Sequence, residues 1–335
     1  MQKAKTVVIF VVLILVVLDS SSFIIEPDHE SHPDDSLNGC WSRLADLNQA
    51  RGIHAVEGVN GKIYVIGGHN NYVNSIEVYD LNSDTWTVVG YMQTYRGYCA
   101  SSVVDGNIYL TGGFDGENYT LVEVYDPLAN SWGEKSSMLN PKWGHYSVHL
   151  DGKIYVFGGV TNWLPDTWYE TMEIYDLQTD TWMEKECPIA PRFFLSACTL
   201  NGKIYVIGGQ GKDGSLSSVD LYDPVLDTWE SKAPMHTPRS LLATAIVNNK
   251  IYAIGGFSLV NLEQLDQALN VQTVEEFDPG TNTWVTRSSI PVPRGVHTAV
   301  INNKIYLPGG SDANPLVDHK ELFVYDPLCD TIADQ

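Results

Sequence analysis

Six basic residues follow a tryptophan at one constant interval. Arg51, Arg96, Lys142, Arg192, Arg239 and Arg294 stand ten positions after Trp41, Trp86, Trp132, Trp182, Trp229 and Trp284. A guanidinium forks onto a carboxylate through two parallel N–H groups, whereas the ammonium of Lys142 is a point charge without the fork. The chemistry on offer is recognition of carboxylates. Whether those carboxylates belong to a ligand or to internal aspartates is open at this stage. The chain has 20 Lys and Arg against 41 Asp and Glu, so internal acids are plentiful.

Other candidate groups are sparse. His54, His145 and His297 each lie three residues after a basic residue, where the other repeats carry Cys99, Leu195 and Leu242. Three histidines around one axis are a possible metal set, but the leucines mark the position as one that packs. Five cysteines are present, and no Cys/His spacing matches a zinc site. Cys99, Cys187 and Cys198 read as packed residues. No Gly-rich phosphate loop is present, and no cofactor is implied. Asn118-Tyr119-Thr120 is an acceptor sequon for N-glycosylation, in a loop expected to be exposed.

The elements that must position these groups are repeated. Gly67/Gly68, Gly112/Gly113, Gly158/Gly159, Gly208/Gly209, Gly255/Gly256 and Gly309/Gly310 each close a short strand such as K-I-Y-V-I. The pairs lie 45, 46, 50, 47 and 54 residues apart, the period of a modular fold. A second strand of the type E-V-Y-D follows, a third begins at the Trp, and a fourth leads to the next Gly-Gly. Four strands in each of six units predict an all-β, six-bladed propeller, which leaves only short, protected strand edges. In it the six basic residues would begin the innermost strands and ring one mouth of the channel. The loops after each Gly-Gly open on that face and carry His69, Asn70, Tyr72, Tyr119, Trp163, Trp168 and Gln210. Only Leu259 to Gln272 reads as room for a helical turn.

Unit six has Ile332 where its Trp should stand, while Trp41 lies ahead of Arg51 without a strand pair of its own. Residues 40–46 are therefore expected to supply the outermost strand of the last blade. Cys40 and Cys329 then fall at the same turn, either as a disulfide or as two surface thiols.

The Gly-Gly, Tyr-Asp and Trp set resembles the kelch repeat over roughly residues 40–332, and within that family it looks most like the propellers of animal BTB–kelch adaptors. Nothing in the chain reads as BTB or BACK. The resemblance implies that arginines at this spacing, here Arg51, Arg96 and Arg192, contact acidic peptides. Arg239 and Arg294 match the same position. A second resemblance is to exported bacterial kelch propellers that mutarotate sialic acid with Arg and Glu at the mouth. Against it, no Glu stands beside the basic ring in sequence, since Glu77, Glu123 and Glu173 belong to the second strand of their units. The metal site of kelch copper oxidases has no counterpart.

The first 22 residues read as a signal peptide: Lys3 and Lys5, an apolar run Val7 to Leu18, then Ser20 to Ser22. The run is short against the ~20 residues of a spanning helix. An uncleaved type II anchor is the alternative. Residues 23–36 read as an acidic disordered linker and 37–335 as the propeller. A net charge of −21 makes nucleic acid and anionic membranes poor partners. The resulting expectation is a secreted, monomeric, non-catalytic module that binds a protein or peptide, acidic by the logic of the basic ring, at the face of Arg51, Arg96, Lys142, Arg192, Arg239, Arg294, Asn70, Tyr72, Trp163 and Trp168. The alternatives are a sugar-acid mutarotase and the substrate-binding half of an intracellular ubiquitin-ligase adaptor.

Overall fold

The computed structural model describes residues 39–69, 73–161, 168–260, 267–313 and 317–333. The expected leader and linker, and Asn70, Tyr72 and Trp163, lie outside the described residues, as does the middle of the Leu259–Gln272 stretch.

Among the described residues there are six four-stranded antiparallel sheets. Blade one is Ala55–Val59, Lys62–Ile66, Ser75–Asp80 and Thr85–Tyr91, paired in that order from the inside out. Blades two to five repeat the order, and their innermost strands are Ala100–Val104, Tyr146–Leu150, Ser196–Leu200 and Ala243–Val247. The innermost strand of blade six is Ala299–Ile301. Each innermost strand touches those of both neighbouring blades, and blade six touches blade one, so the ring is closed. The K-I-Y-V-I pattern forms the second strand of each blade because β-branched and aromatic residues suit a strand covered on both faces. In Lys203–Ile207 all but the lysine are buried.

Blade six is completed as expected. Trp41–Leu44 pairs with Leu322–Tyr325, with Trp41 opposite Tyr325. Trp86 lies opposite Tyr79 and Trp182 opposite Tyr175 in the same register. The C-terminal residues form the short helix Pro327–Ala333 in place of an outer strand. Cys40 and Cys329 are joined by a disulfide, with their Cα atoms 5.3 Å apart.

The blades are laced at their outer edges. The indole N–H of Trp86 donates to the Ala45 carbonyl at 2.8 Å, and that of Trp284 to Ala233 at 2.7 Å. Trp41 does the same toward Ser288 at 3.1 Å. A second link uses a residue in the left-handed region at the outer turn. Asp84, with φ of 51°, accepts from the Tyr79 hydroxyl and from the Ala45 N–H of the preceding blade. Asp330 plays that part for blade six from its helix, accepting from Tyr325 and from Ser288 N.

Candidate functional site

The basic residues fold into closed units rather than a mouth. Arg51, Arg96, Lys142 and Arg239 are fully buried, and Arg192 and Arg294 nearly so. Each pairs with an acid of its own blade, on the third strand in blades one to five and just ahead of it in blade six. Arg51 meets Glu77 and Arg96 meets Glu123. Lys142 meets Glu173 at 2.7 Å, Arg192 meets Asp220 at 3.1 Å, and Arg239 meets Glu275 at 2.8 Å. Arg294 meets Glu321 at 3.0 Å. The guanidinium also holds the Gly-Gly turn: Arg96 Nε donates to the Gly112 carbonyl at 2.7 Å, and Arg192 Nη1 to Gly208 at 3.1 Å. Gly113, at φ 110°, lies over the arginine it serves; a Cβ there would sit 3.1 Å from Arg96 Cδ. Basic residue, Gly-Gly and acid are one structural device.

Three expectations are corrected by this burial. Arg51, Arg96, Lys142, Arg192, Arg239 and Arg294 do not face a ligand, because their charged ends are enclosed and neutralised. Their partners are acids of the same blade, not aspartates of neighbours. Glutamates do stand beside the arginines, since strand pairing brings Glu77, Glu123 and Glu173 to them, yet these too are buried. Burial pulls Arg51, Arg192, Arg239 and Arg294 below their ordinary pKa, Arg239 to about 10, against the attraction of their acids. They stay charged at neutral pH.

The histidines form no metal set. His54 Nε2 lies 3.1 Å from the Pro308 carbonyl and His145 Nε2 lies 3.0 Å from Thr111 Oγ1. Each packs beneath the first glycine of the preceding blade's pair, Gly309 and Gly112, as Leu195 does beneath Gly158 and Leu242 beneath Gly208. Blade six is one residue shorter between its arginine and its strand. Val296, not His297, takes that place, under Gly255. Burial holds His145 near 3 and His297 near 4, so both are neutral. Among the described residues no group of three or more His, Cys, Asp or Glu could hold a metal ion.

The face where the Gly-Gly loops emerge is built on strained backbone. Ile53, Tyr98, Phe194 and Leu241 have φ of 53°, 59°, 52° and 49°, a conformation that costs a bulky L-residue roughly 1–2 kcal/mol. Hydrogen bonds between blades hold them. Gly144 N donates to the Tyr98 carbonyl at 3.1 Å, Phe194 N to Gly144 at 2.7 Å, and Leu241 N to Phe194 at 2.7 Å. The side chains cap the axis with apolar and aromatic groups. Tyr98 stacks on Phe194 with centroids 5.8 Å apart and tilts against His69 at 4.5 Å. Trp143, Val160, Trp168 and Phe193 form a buried floor, with Tyr98, Phe114 and Phe194 packed on it and partly exposed. Trp168 and Gln210, expected in the wall, are therefore buried parts of its foundation. The described parts of the loops around the cap carry Asp115, Glu117, Asp213, Asp312 and Asp318 against Lys212 and Lys320.

Asn118 is half-buried rather than exposed, and its side-chain amide donates to the Thr161 carbonyl of blade three at 2.9 Å. Cys187 and Cys198 are buried free thiols and Cys99 is partly buried.

Behind the cap the inner strands line an open cavity of about 450 Å³. Its wall mixes hydroxyl-bearing side chains with small apolar ones. Ser102 and Ser147 share a hydrogen bond at 2.8 Å, and Ser196 and Thr244 share one at 2.9 Å. Glu57 is its acid, with one oxygen accepting from Ser101 at 2.7 Å. Burial pushes the Glu57 carboxyl up to about 7, against the Ser101 hydrogen bond. Sequence reading passed over Glu57. The signal was its departure from the repeat, since the same register position holds Ser102, Val148, Cys198, Ala245 and Ala299.

Comparison with known proteins agrees with this architecture. The Kelch motif family matches residues 51–93, 95–139 and 238–290, and the KLHDC2/KLHL20/DRC7 Kelch-repeats domain matches 135–256. An F-box/kelch-repeat protein of Arabidopsis thaliana is 36% identical over 146 residues, 40% of this chain and 39% of that protein. Kelch-like protein 15 of Danio rerio is 32% identical over 159 residues, 40% of this chain and 26% of its own. Alpha-scruin of Limulus polyphemus is 31% identical over 142 residues, 39% of this chain and 15% of its own. The matched segments thus span under half the length of these relatives. The solved structure of YjhT superposes with a TM-score of 0.73 at 17% identity, covering 83% of this chain and 95% of that one, a likeness of fold. With six Gly-Gly blades, each locked by its own basic–acid pair, the chain belongs to the kelch-repeat β-propellers.

Proposed function

We propose that this propeller is a secreted binding module that engages a protein or peptide through the capped loop face, and that the partner segment is basic or uncharged. The observation that carries this reading is the cap itself: partly exposed Tyr98, Phe114 and Phe194 on a rigid aromatic floor, ringed by carboxylates. Aromatic anchors on a fixed base are the usual source of binding energy at protein interfaces. An acidic rim steers cations and repels anions. The acidic partner expected from the basic ring loses its support, because the cations that would attract it are enclosed. The apolar run behind Lys3 and Lys5 supports export.

A peptide array tests the reading. Wild-type protein should retain basic peptides containing aromatic or aliphatic residues and release them as salt rises. Phe114→Ala should weaken retention about tenfold, the loss of one aromatic anchor. Preferential capture of acidic peptides, or capture indifferent to Phe114→Ala, would overturn it.

A further inference from the structure

The cavity behind the cap is a second place where the sixfold pattern is broken. Three large polar side chains interrupt it. Glu57 stands where other blades carry small or apolar residues, save Ser102. Tyr146 stands opposite Phe157 in the register where blades one, two, four and five carry Ala55, Ala100, Ser196 and Ala243. His149 stands where they carry Gly58, Val103, Thr199 and Ile246. All three line the one cavity. Tyr146 is partly buried against the core shared by blades three and four, and it also lines this cavity.

The charge balance of this space is one-sided. Among the described residues no Lys or Arg lines it, and Glu57 is the one carboxylate. Every basic residue that begins an inner strand is already committed to an acid of its own blade. Glu57 is partly exposed to this open space, and among the described residues it receives a single hydroxyl donor, so the fold leaves its charge for solvent or a ligand to compensate. Around it lie hydroxyl oxygens able to accept further N–H or O–H groups. We infer that the channel is a binding site for a small protonated amine, its ammonium paired with Glu57 and its remaining donors taken up by the Ser, Thr and Tyr146 hydroxyls. The elevated Glu57 pKa agrees with a carboxyl whose counter-charge the fold leaves out. The site is separate from the loop face and does not depend on that face binding anything.

Ethanolamine and ethylene glycol make the test, because they differ by one amine in place of one hydroxyl. Titrations of the intact protein at pH 8, followed by calorimetry or by NMR shifts, should give saturable one-to-one binding of ethanolamine. Ethylene glycol should bind at least about tenfold more weakly, and Glu57→Gln should lose at least about tenfold for ethanolamine. Absence of saturable ethanolamine binding, equal affinity for the two compounds, or unchanged affinity in Glu57→Gln would each overturn the inference. The ligand pair on wild-type protein keeps the test decisive if the variant does not fold.

Discussion

Blade six and the other five blades reach the same geometry with different residues. In blades one to five the acid that locks the basic residue sits three positions before the strand-ending Asp, as Glu77 does before Asp80. In blade six that position is Phe323, and the guanidinium of Arg294 lies over its ring, 5.1 Å from the centroid. The acid has moved two residues back to Glu321, which keeps it on the same face of the strand. His319 then bridges Glu321 and Asp312, at 3.5 Å and 3.1 Å. The outer strand comes from the other end of the chain, and Asp330 replaces a turn residue from within a helix. What the fold demands is an acid beside the buried cation and a Trp opposite an aromatic ring, Tyr in five blades and Phe277 in blade five, not a particular residue at a particular offset.

The largest effect should come from removing the borrowed strand. Deleting residues 37–47 takes away Trp41–Leu44 and leaves the Leu322–Tyr325 strand with an open edge. The deletion variant should aggregate or lose its cooperative melt, as read by light scattering and circular dichroism. A parent-like melt would show that blade six stands alone.

Next comes the lock. Arg96→Ala leaves Glu123 as a buried charge without its partner and should cost about 3–5 kcal/mol in denaturant unfolding. Arg294→Ala should cost less, about 2–3 kcal/mol, because Glu321 is 18% exposed and keeps His319. Equal losses would erase the distinction between the blades. Stability unchanged in both would return the basic residues to candidacy as ligand groups.

Replacing Cys40 and Cys329 by serine should cost about 3–5 kcal/mol on the loop-entropy account, since the bridge spans 289 residues. Reductant should lower the wild-type melting temperature and leave the double variant unmoved. The smallest effect is a pH dependence that comes from His319 in blade six. Burial lowers the His319 pKa, but the carboxylates of Glu321 and Asp312 outweigh it and the net shift is upward. Its contribution is therefore complete below the ordinary histidine value of about 6.5 and is lost as pH rises through the raised value. His319→Gln should flatten the wild-type decline in stability over that window, by less than about 1 kcal/mol.

Much of the fold was legible because its markers are local. Gly-Gly is required where both residues take positive φ, as at Gly67 and Gly68 with 67° and 145°. A Trp has to lie opposite a Tyr or Phe close to a tight turn. Ring closure could be read from one surplus Trp and one missing Trp. The site was legible only as a set of residue types. The ten-residue interval placed each basic residue correctly at the start of an inner strand, but spacing carries no information about what lies across the sheet. Only pairing in three dimensions sets Glu123 against Arg96, and only packing decides that a guanidinium is enclosed rather than wet. The one-residue shortening that moves His297 out of register is likewise invisible until neighbouring blades fix what the backbone must reach. Short-range sequence determined the number of blades, their order and their closure, because strands and turns depend on neighbours in the chain. The tertiary structure alone decided which charges are spent internally and which surfaces stay free, because burial and charge pairing depend on residues brought together across strands and blades.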